Sequence, residues 1–396
     1  SAYNTSLYFV ITGSSAVGID KLHYLAGRGV SYTISDWTYL EHLLLKSCKD
    51  LNKCNYQLNT ALELSSIDTL NNFLYHNNNE NILQYVKSCI DDTIQSNFIR
   101  GFSKSHEFTM QEIDSVLKVI AYRQILIVNR NSSKMFNDKY FNRFISLLNI
   151  EYNISLSLNE LHEILKQDND INILLQSRNF NISNKRFILI VNFLIASKLI
   201  SIQPIITEQD TCVMQKLQIR SIDEIDGDSI HICSRSLSLY IYYIATNLLF
   251  DKLGIHEKPT IEQLFSNNIL NLKGDLIESY IYTLITSNSD TLIVTKYRSQ
   301  STQDEIDLVI NNTYGIEIKN RKLSNLTSKE FNLCKQIKDI FELKDVLITS
   351  TDITTTKYGI NIVALDKLIL HLDLLYFVYN DMYKLDYIGK LFIKNN

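Results

Sequence analysis

Residues that interrupt regular structure are scarce in this sequence. Only 2 prolines and 11 glycines occur among its 396 residues. This scarcity argues against flexible linkers and favours regular helices and strands joined by turns of Asn, Asp and Ser. The six cysteines are scattered, with no C-x2-C pair and no Cys/His cluster at metal-ligand spacing. This spacing excludes a zinc motif and predicts reduced thiols in the cytosol.

An excess of positive charge is also lacking. Lys and Arg number 39 against 43 Asp and Glu, which gives a formal net charge of −4, so any contact with nucleic acid has to be local. The most apolar stretch, 187–202, is interrupted by Asn192 and Lys198 and is shorter than the roughly 20 residues that cross a bilayer. The first residues carry no secretory signal. The sequence therefore predicts a cytoplasmic protein without membrane contact.

What the sequence does contain is enough apolar material, 45% of the residues, for two or three domains with their own cores. Residues 7–12 are mostly β-branched, aromatic or aliphatic and predict a strand, which ends in Gly-Ser-Ser and precedes a helical pattern at 17–25. Mostly helical periodicity continues from about residue 39 to 128. Residues 13–18 do not form a P-loop, because Ile19 and Asp20 stand where that motif requires Lys and Ser or Thr. We therefore expect negligible ATP affinity for this chain alone.

Residues 157–204 are predicted to form two helices followed by a strand. The first helix opens on Ser157 with Glu160 three residues later, the signature of a capping box. This order of elements is that of a winged helix-turn-helix. The second helix and its end hold three candidate DNA-binding cations: Lys185, Arg186 and Lys198. With so few cations, the unit serves either as a packing module or as a reader of bases.

Residues 266–396 are predicted to form a mixed α/β unit. Helices are expected at 274–285, 328–341 and 367–379, and strands at 291–298, 305–310, 315–319, 346–350 and 360–364. Residues 311–315 have turn chemistry, so the second and third strands should form a hairpin.

Three polar residues of this hairpin are candidates for chemistry: Asp307, Glu317 and Lys319. Because side chains alternate along a strand, Asp307 should lie beside the pair Glu317 and Lys319. Four apolar neighbours should point together the other way, into a core: Ile306, Leu308, Ile316 and Ile318. The two carboxylates and the backbone carbonyl of Ile318 would suit Mg²⁺ or Mn²⁺, and Lys319 would orient or deprotonate an attacking water. The alternative is an amphipathic hairpin with a solvated polar face.

Four short motifs accompany this hairpin: Leu-Lys-Gly-Asp-Leu-Ile-Glu at 272–278, Tyr-Arg at 297–298, Asp-Glu-Ile-Asp at 304–307 and Gly-Ile-Glu-Ile-Lys at 315–319. With the order of elements, they resemble the PD-(D/E)xK nuclease superfamily and, more narrowly, the C-terminal domain of prokaryotic AAA+-type ATPases. The resemblance implies a catalytic set of Glu278, Asp307, Glu317 and Lys319, in which Glu278 would hold a metal-bound water. Arg298 would either contact phosphate or form a salt bridge.

The first residues resemble the second half of the ATPase core in the same family, where a strand ends in Gly-Ser-Ser and Leu-Ala-Gly-Arg follows, here at 25–28. The resemblance implies that Thr12 or Ser14 senses the γ-phosphate and that Arg28 acts on nucleotide in a neighbouring subunit. The alternative is a buried strand, a tight turn and a surface arginine. By the same resemblance, the half with the P-loop is missing from this chain, through truncation, proteolysis or a split gene.

The predicted organisation has five parts: an ATPase remnant (1–45), a helical lid or connector (46–135), a winged helix-turn-helix (136–215), a helical linker (216–265) and a nuclease-like domain (266–396). The predicted function is metal-dependent hydrolysis of DNA phosphodiester bonds by a protein of the AAA+-type ATPase family. The alternative is a non-catalytic module that binds DNA or protein in an ATPase assembly. The expected partners of the protein are DNA and either a second copy of the chain or the missing ATPase half.

Overall fold

The computed structural model describes residues 38–47, 58–75, 110–130, 133–136, 138–167, 183–196, 199–207, 230–233, 235–259, 273–287, 291–299, 304–377 and 381–392. The candidate nucleotide-sensing residues and one candidate DNA-binding residue lie outside these segments: Thr12, Ser14, Arg28 and Lys198. The strand and helix predicted at 7–12 and 17–25 lie outside them as well.

Helices occupy most of the described residues before 127, as the apolar stripes predict. They are α1 Tyr39–Ser47, α2 Leu58–Glu63, α3 Ile67–Tyr75 and α4 Met110–Ala121, and a π-helical turn at Tyr122–Leu126 continues α4. An antiparallel strand pair, β1 Ile127–Arg130 and β2 Ser133–Phe136, follows. The sequence analysis did not predict this strand pair.

The middle of the chain contains the predicted helix, helix and strand. Its elements are α5 Asp138–Tyr152, α6 Leu158–Gln167, α7 Asn184–Ala196, β3 Ile200–Ile202, β4 Ile205–Ile206, β5 Ile230–Ile232 and α8 Arg235–Lys252. The capping box of α6 is confirmed, because Glu160 N–H donates to Ser157 Oγ at 3.2 Å and Ser157 N–H donates to Glu160 Oε2 at 2.8 Å. Strand β3 pairs antiparallel with β5.

The last third alternates helices and strands, and the predicted mixed α/β class is confirmed. Its elements are α9 Lys273–Ser287, β6 Val294–Arg298, β7 Glu305–Ile310, β8 Tyr314–Glu317, α10 Ser328–Ile340, β9 Asp345–Ser350, β10 Thr355–Lys357, β11 Ile360–Ala364, α11 Leu365–Asp373 and α12 Asp381–Gly389. Helix α9 forms because Ile277, Ile281 and Ile285 recur every fourth residue and are fully buried. Strand β10 and helix α12 were not predicted.

Within the described segments, a seven-stranded mixed sheet organises this part, in the order β10-β11-β9-β8-β7-β6-β4. Strands β6, β7 and β8 form an antiparallel meander, and β8 pairs parallel with β9 after the crossover through α10. Strand β4 pairs parallel with β6, with Ile205 opposite Lys296. The sheet therefore includes a strand from outside the predicted nuclease-like range of 266–396.

The core consists of two apolar clusters, one on each side of this sheet. The larger cluster extends from Tyr39 to Phe392 and includes the buried faces of α9 and α11. The smaller cluster packs Phe331, Cys334 and Ile337 of α10 against the other face of the sheet. Within the described segments, no helix combines the length and apolar character that crossing a bilayer requires.

Candidate functional site

A β-bulge shapes the second strand of the meander. Thr295 pairs with Val309 and Tyr297 pairs with Ile306, so two residues of β7, Asp307 and Leu308, lie opposite Lys296 alone. A bulge of this kind bends the strand and changes the direction of a side chain. It is the feature that sets how Asp307 lies relative to its neighbours.

The bulge corrects one prediction from the period of two. Ile306 was expected to share a core with Leu308, Ile316 and Ile318, but it packs in the smaller cluster with Val309. Leu308, Ile316 and Ile318 pack in the larger cluster. The prediction was wrong for Ile306 because the extra residue in β7 reverses the alternation of side chains between 306 and 308.

Asp307, inside β7, and Glu317, the last residue of β8, lie beside each other. Leu308 pairs with Ile316, so the next residues along the two strands are Asp307 and Glu317. The N–H of Ile318 donates to Asp307 Oδ2 at 2.7 Å, which fixes the Asp307 carboxylate against β8. Both carboxylates are buried, at 6% and 3% exposure. The hairpin prediction therefore placed these two residues correctly.

Lys319 completes the part of the site that comes from the hairpin. Its Nζ forms an ion pair with Oε1 of Glu317. Its backbone is held by Thr349 on β9, since Lys319 N–H donates to Thr349 Oγ1 at 2.7 Å and Thr349 Oγ1 donates to the Lys319 carbonyl at 3.0 Å. Oε2 of Glu317 is buried, and no hydrogen-bond partner among the described residues reaches it. Buried polar atoms are almost always paired, so this oxygen is available to a ligand.

Glu278 reaches the same region from helix α9. Its Oε1 lies 2.5 Å from Nζ of Lys296, and the Lys296 side chain is only 5% exposed. The electrostatic influence of Asp307 also reaches Glu278. The sequence analysis did not select Lys296, although a lysine in the middle of the strand Val294–Arg298 was an available signal.

Burial dominates the protonation of these groups. It raises the pKa of Glu317 to about 8, with Asp307 adding to the rise and Lys319 opposing it. Burial likewise raises the pKa of Glu278 to about 8, opposed by Lys296. It also raises the pKa of Asp307. For Lys319, burial alone would lower the pKa, but the charges of Asp307 and Glu317 outweigh it and raise the pKa to about 12. Lys319 is therefore a cation at neutral pH.

A series of buried hydrogen bonds between polar side chains holds the backbone of the bulge at Asp307. Gln203 Nε2 donates to the backbone carbonyl of Asp307 at 2.9 Å, and Gln203 Oε1 lies 2.7 Å from Nε2 of His231. Nδ1 of His231 lies 3.1 Å from Ser279 Oγ. Burial lowers the pKa of His231, so the ring is neutral, donates from Nε2 to Gln203 and accepts from Ser279 at Nδ1. Sequence reasoning missed Gln203 and His231 because their contacts connect distant segments.

The four predicted catalytic residues are thus brought into one region but not into one preformed metal centre. Over the described segments, no three His, Cys, Asp or Glu side chains converge as a group that could hold a metal ion. Glu317 and Lys319 form an ion pair on which Asp307 acts electrostatically, whereas Glu278 is held by Lys296.

The predicted DNA-binding residues have different surroundings. Lys185 is exposed on α7. Arg186 binds Glu112 on α4 through two nitrogens, at 2.6 and 3.1 Å. Arg298 forms a salt bridge with Glu305 at 3.3 Å, which is the second of the two alternatives for this residue.

Comparison of the chain with known protein families, with characterised proteins and with solved structures finds no match.

Proposed function

We propose that Asp307, Glu317 and Lys319 form the site of a metal-dependent DNA endonuclease. The observation that carries the proposal is the buried, unpaired Oε2 of Glu317 beside Asp307 and Lys319. A divalent cation would satisfy this oxygen. Hard carboxylate oxygens are the ligands that Mg²⁺ and Mn²⁺ take.

The order of elements around the site supports the same proposal. A helix with Glu278 precedes the meander of β6, β7 and β8, and the helix α10 and the parallel strand β9 follow. This is the order of the PD-(D/E)xK nuclease core, which the sequence motifs resemble. We also propose that the middle of the chain forms a winged helix. The whole chain would belong to an AAA+-type ATPase assembly.

In the proposed reaction, Asp307, Glu317 and the carbonyl of Ile318 would hold the cation. A bound cation would supply Lewis-acid chemistry at the phosphate and at water. Lys319 stays protonated because its pKa is raised to about 12. It therefore donates hydrogen bonds to water or to phosphate oxygens and offsets their negative charge, in preference to removing a proton. The bonds from Thr349 hold the Lys319 backbone in place for this role.

A second candidate function is a non-catalytic DNA- or protein-binding module. The ion pair between Glu278 and Lys296 favours it, because the pair satisfies one carboxylate of the predicted set without a metal. The net charge of −4 also limits DNA contact to local patches.

Cleavage assays separate the two functions. Supercoiled, linear, branched and single-stranded DNA would be incubated with Mg²⁺ or Mn²⁺ and wild-type protein, Asp307→Asn or Lys319→Met. We expect the wild type to cleave at least one substrate and each variant to lose about 100-fold or more in rate. The matched control is Lys338→Met, which removes a lysine of α10 that is paired with Asp345 of β9 at 2.9 Å.

Cleavage by both variants at the wild-type rate would rule out the enzyme. Salt-dependent DNA binding without cleavage by any of the proteins would establish the second function instead.

A further inference from the structure

We infer that Lys296 acts as a built-in cation that limits the proposed metal site to one divalent ion. This inference rests on the proposed function, since it concerns the same group of carboxylates. It assigns a role to a residue outside the predicted catalytic set of Glu278, Asp307, Glu317 and Lys319.

The position of Lys296 supports this role. It lies opposite Asp307 and Leu308 at the bulge, on the strand between β4 and β7. Its Nζ is 2.5 Å from Oε1 of Glu278, and its side chain is 5% exposed. A second divalent ion bound through Glu278 would have to take the place that this ammonium group holds.

The surroundings keep Lys296 charged. Burial alone would lower its pKa, but the carboxylates of Glu278, Glu305 and Asp307 outweigh burial and raise the pKa above its usual value. Backbone contacts fix the strand on both sides, because β6 pairs with β7 on one side and Lys296 N–H donates to the carbonyl of Pro204 at 2.8 Å on the other. A permanent positive charge is therefore held against Glu278 and close to Asp307.

The local charge favours a single divalent ion. With their protons displaced, as metal binding requires, Glu278, Asp307 and Glu317 contribute three negative charges, and Lys296 and Lys319 contribute two positive charges, so the cluster then carries one net negative charge. One divalent ion converts this to one positive charge, which a phosphodiester neutralises. A second divalent ion would leave excess positive charge in a buried site, where it is poorly solvated.

Binding of Mn²⁺ tests the inference without an activity assay. Calorimetry at neutral pH should give one Mn²⁺ per wild-type chain, and the electron paramagnetic resonance spectrum should be that of isolated ions. Lys296→Met removes the charge and frees Glu278, so it should bind two Mn²⁺ with a spectrum broadened by coupling between them. Lys296→Arg and the control Lys338→Met should both bind one, and Lys296→Met combined with Glu278→Gln should return to one.

Each outcome bears on the claim. Two Mn²⁺ on the wild type, or a folded Lys296→Met that still binds one, would overturn the role of Lys296 and leave the proposed site intact. If Lys296→Met does not fold, a wild-type stoichiometry of two still overturns the role of Lys296. No Mn²⁺ binding by the wild type would overturn the proposed site itself, and with it this inference.

Discussion

At the scale of single residues, two neighbouring cations on α7 have different tasks. The guanidinium of Arg186 binds the Glu112 carboxylate through Nε and Nη2, and both side chains are about one-fifth exposed. Paired, planar contacts of this kind are stronger than ordinary surface ion pairs. Arg186 therefore fastens α7 to α4, while Lys185 is exposed and can contact a polyanion.

Replacing each of these two residues by alanine should change a different property, which is stability for Arg186 and DNA binding for Lys185. We expect Arg186→Ala to lower the free energy of unfolding by about 1 to 2 kcal/mol, because it leaves Glu112 without its half-buried partner. Lys185→Ala should leave stability unchanged and weaken DNA binding at low salt. Urea denaturation and fluorescence anisotropy measure the two quantities. Loss of DNA affinity by Arg186→Ala at unchanged stability would contradict this assignment.

The range of a residue's contacts along the chain explains which site residues the sequence predicted. Asp307, Glu317 and Lys319 lie on one hairpin, where local alternation of side chains determines their positions. Lys296 and Gln203 act through contacts with Glu278 and with the Asp307 carbonyl, and these contacts join segments far apart in the chain. A single sequence contains no local signal for such pairings.

At the scale of elements, helix ends were more predictable than strand register. The capping box before α6 depends only on Ser157 and Glu160, and it was recognised from their spacing. The bulge in β7 depends on how this strand pairs with β6, so the alternation of residues 305–310 alone could not reveal it. Strand β4 is equally hidden, because its pairing with β6 crosses about ninety residues of chain.

The capping box gives a quantitative prediction. Ser157→Ala removes the oxygen that accepts the Glu160 N–H and should lower the free energy of unfolding by about 1 kcal/mol. Ser157→Asp should retain the stability, since aspartate also caps helices well. The control is Ser146→Ala, because Ser146 bonds back to the Asn142 carbonyl at 2.9 Å inside α5 and caps no helix end. Equal destabilisation by both alanine substitutions in chemical denaturation would disprove the specific role of the cap.

At the scale of the whole molecule, the first described helices dock on the C-terminal ones. Leu40 N–H donates to Asp373 Oδ2 at 2.9 Å, and Ser65 Oγ donates to Asp366 Oδ2 at 2.8 Å. Tyr39 N–H donates to the hydroxyl of Tyr280 at 2.9 Å. The larger apolar cluster joins the same helices. No sequence pattern indicated this docking, because it connects residues more than two hundred positions apart.

Asp373 makes this docking sensitive to pH. Burial raises its pKa to about 7, partly opposed by the Leu40 N–H, whereas the unfolded chain should have a pKa of about 3.9. The folded state therefore binds this proton more tightly. The protonated Asp373 therefore stabilises the folded state. Its contribution to the free energy of unfolding is complete below about pH 4 and is lost as the pH rises to about 7.

Asparagine at this position resembles the protonated carboxyl group at every pH. We expect Asp373→Asn to exceed the wild type in free energy of unfolding at pH 8 by roughly 3 to 4 kcal/mol, and to match it near pH 4. Urea denaturation between pH 4 and 8 measures the difference. Asp386→Asn, an exposed change on α12, is the control. A constant difference between Asp373→Asn and the wild type across this pH range would refute the prediction.

The two edge strands of the seven-stranded sheet have a consequence for aggregation. In the part of the chain that the structure describes, β4 has two residues and β10 has three, so each of these edge strands offers few open backbone groups. Long, flat edges are templates on which another chain adds a strand, and short edges give that chain little to bind. Sheet extension is therefore a poor route for copies of this protein to associate, and crowding or concentration should not readily convert the sheet into fibrils.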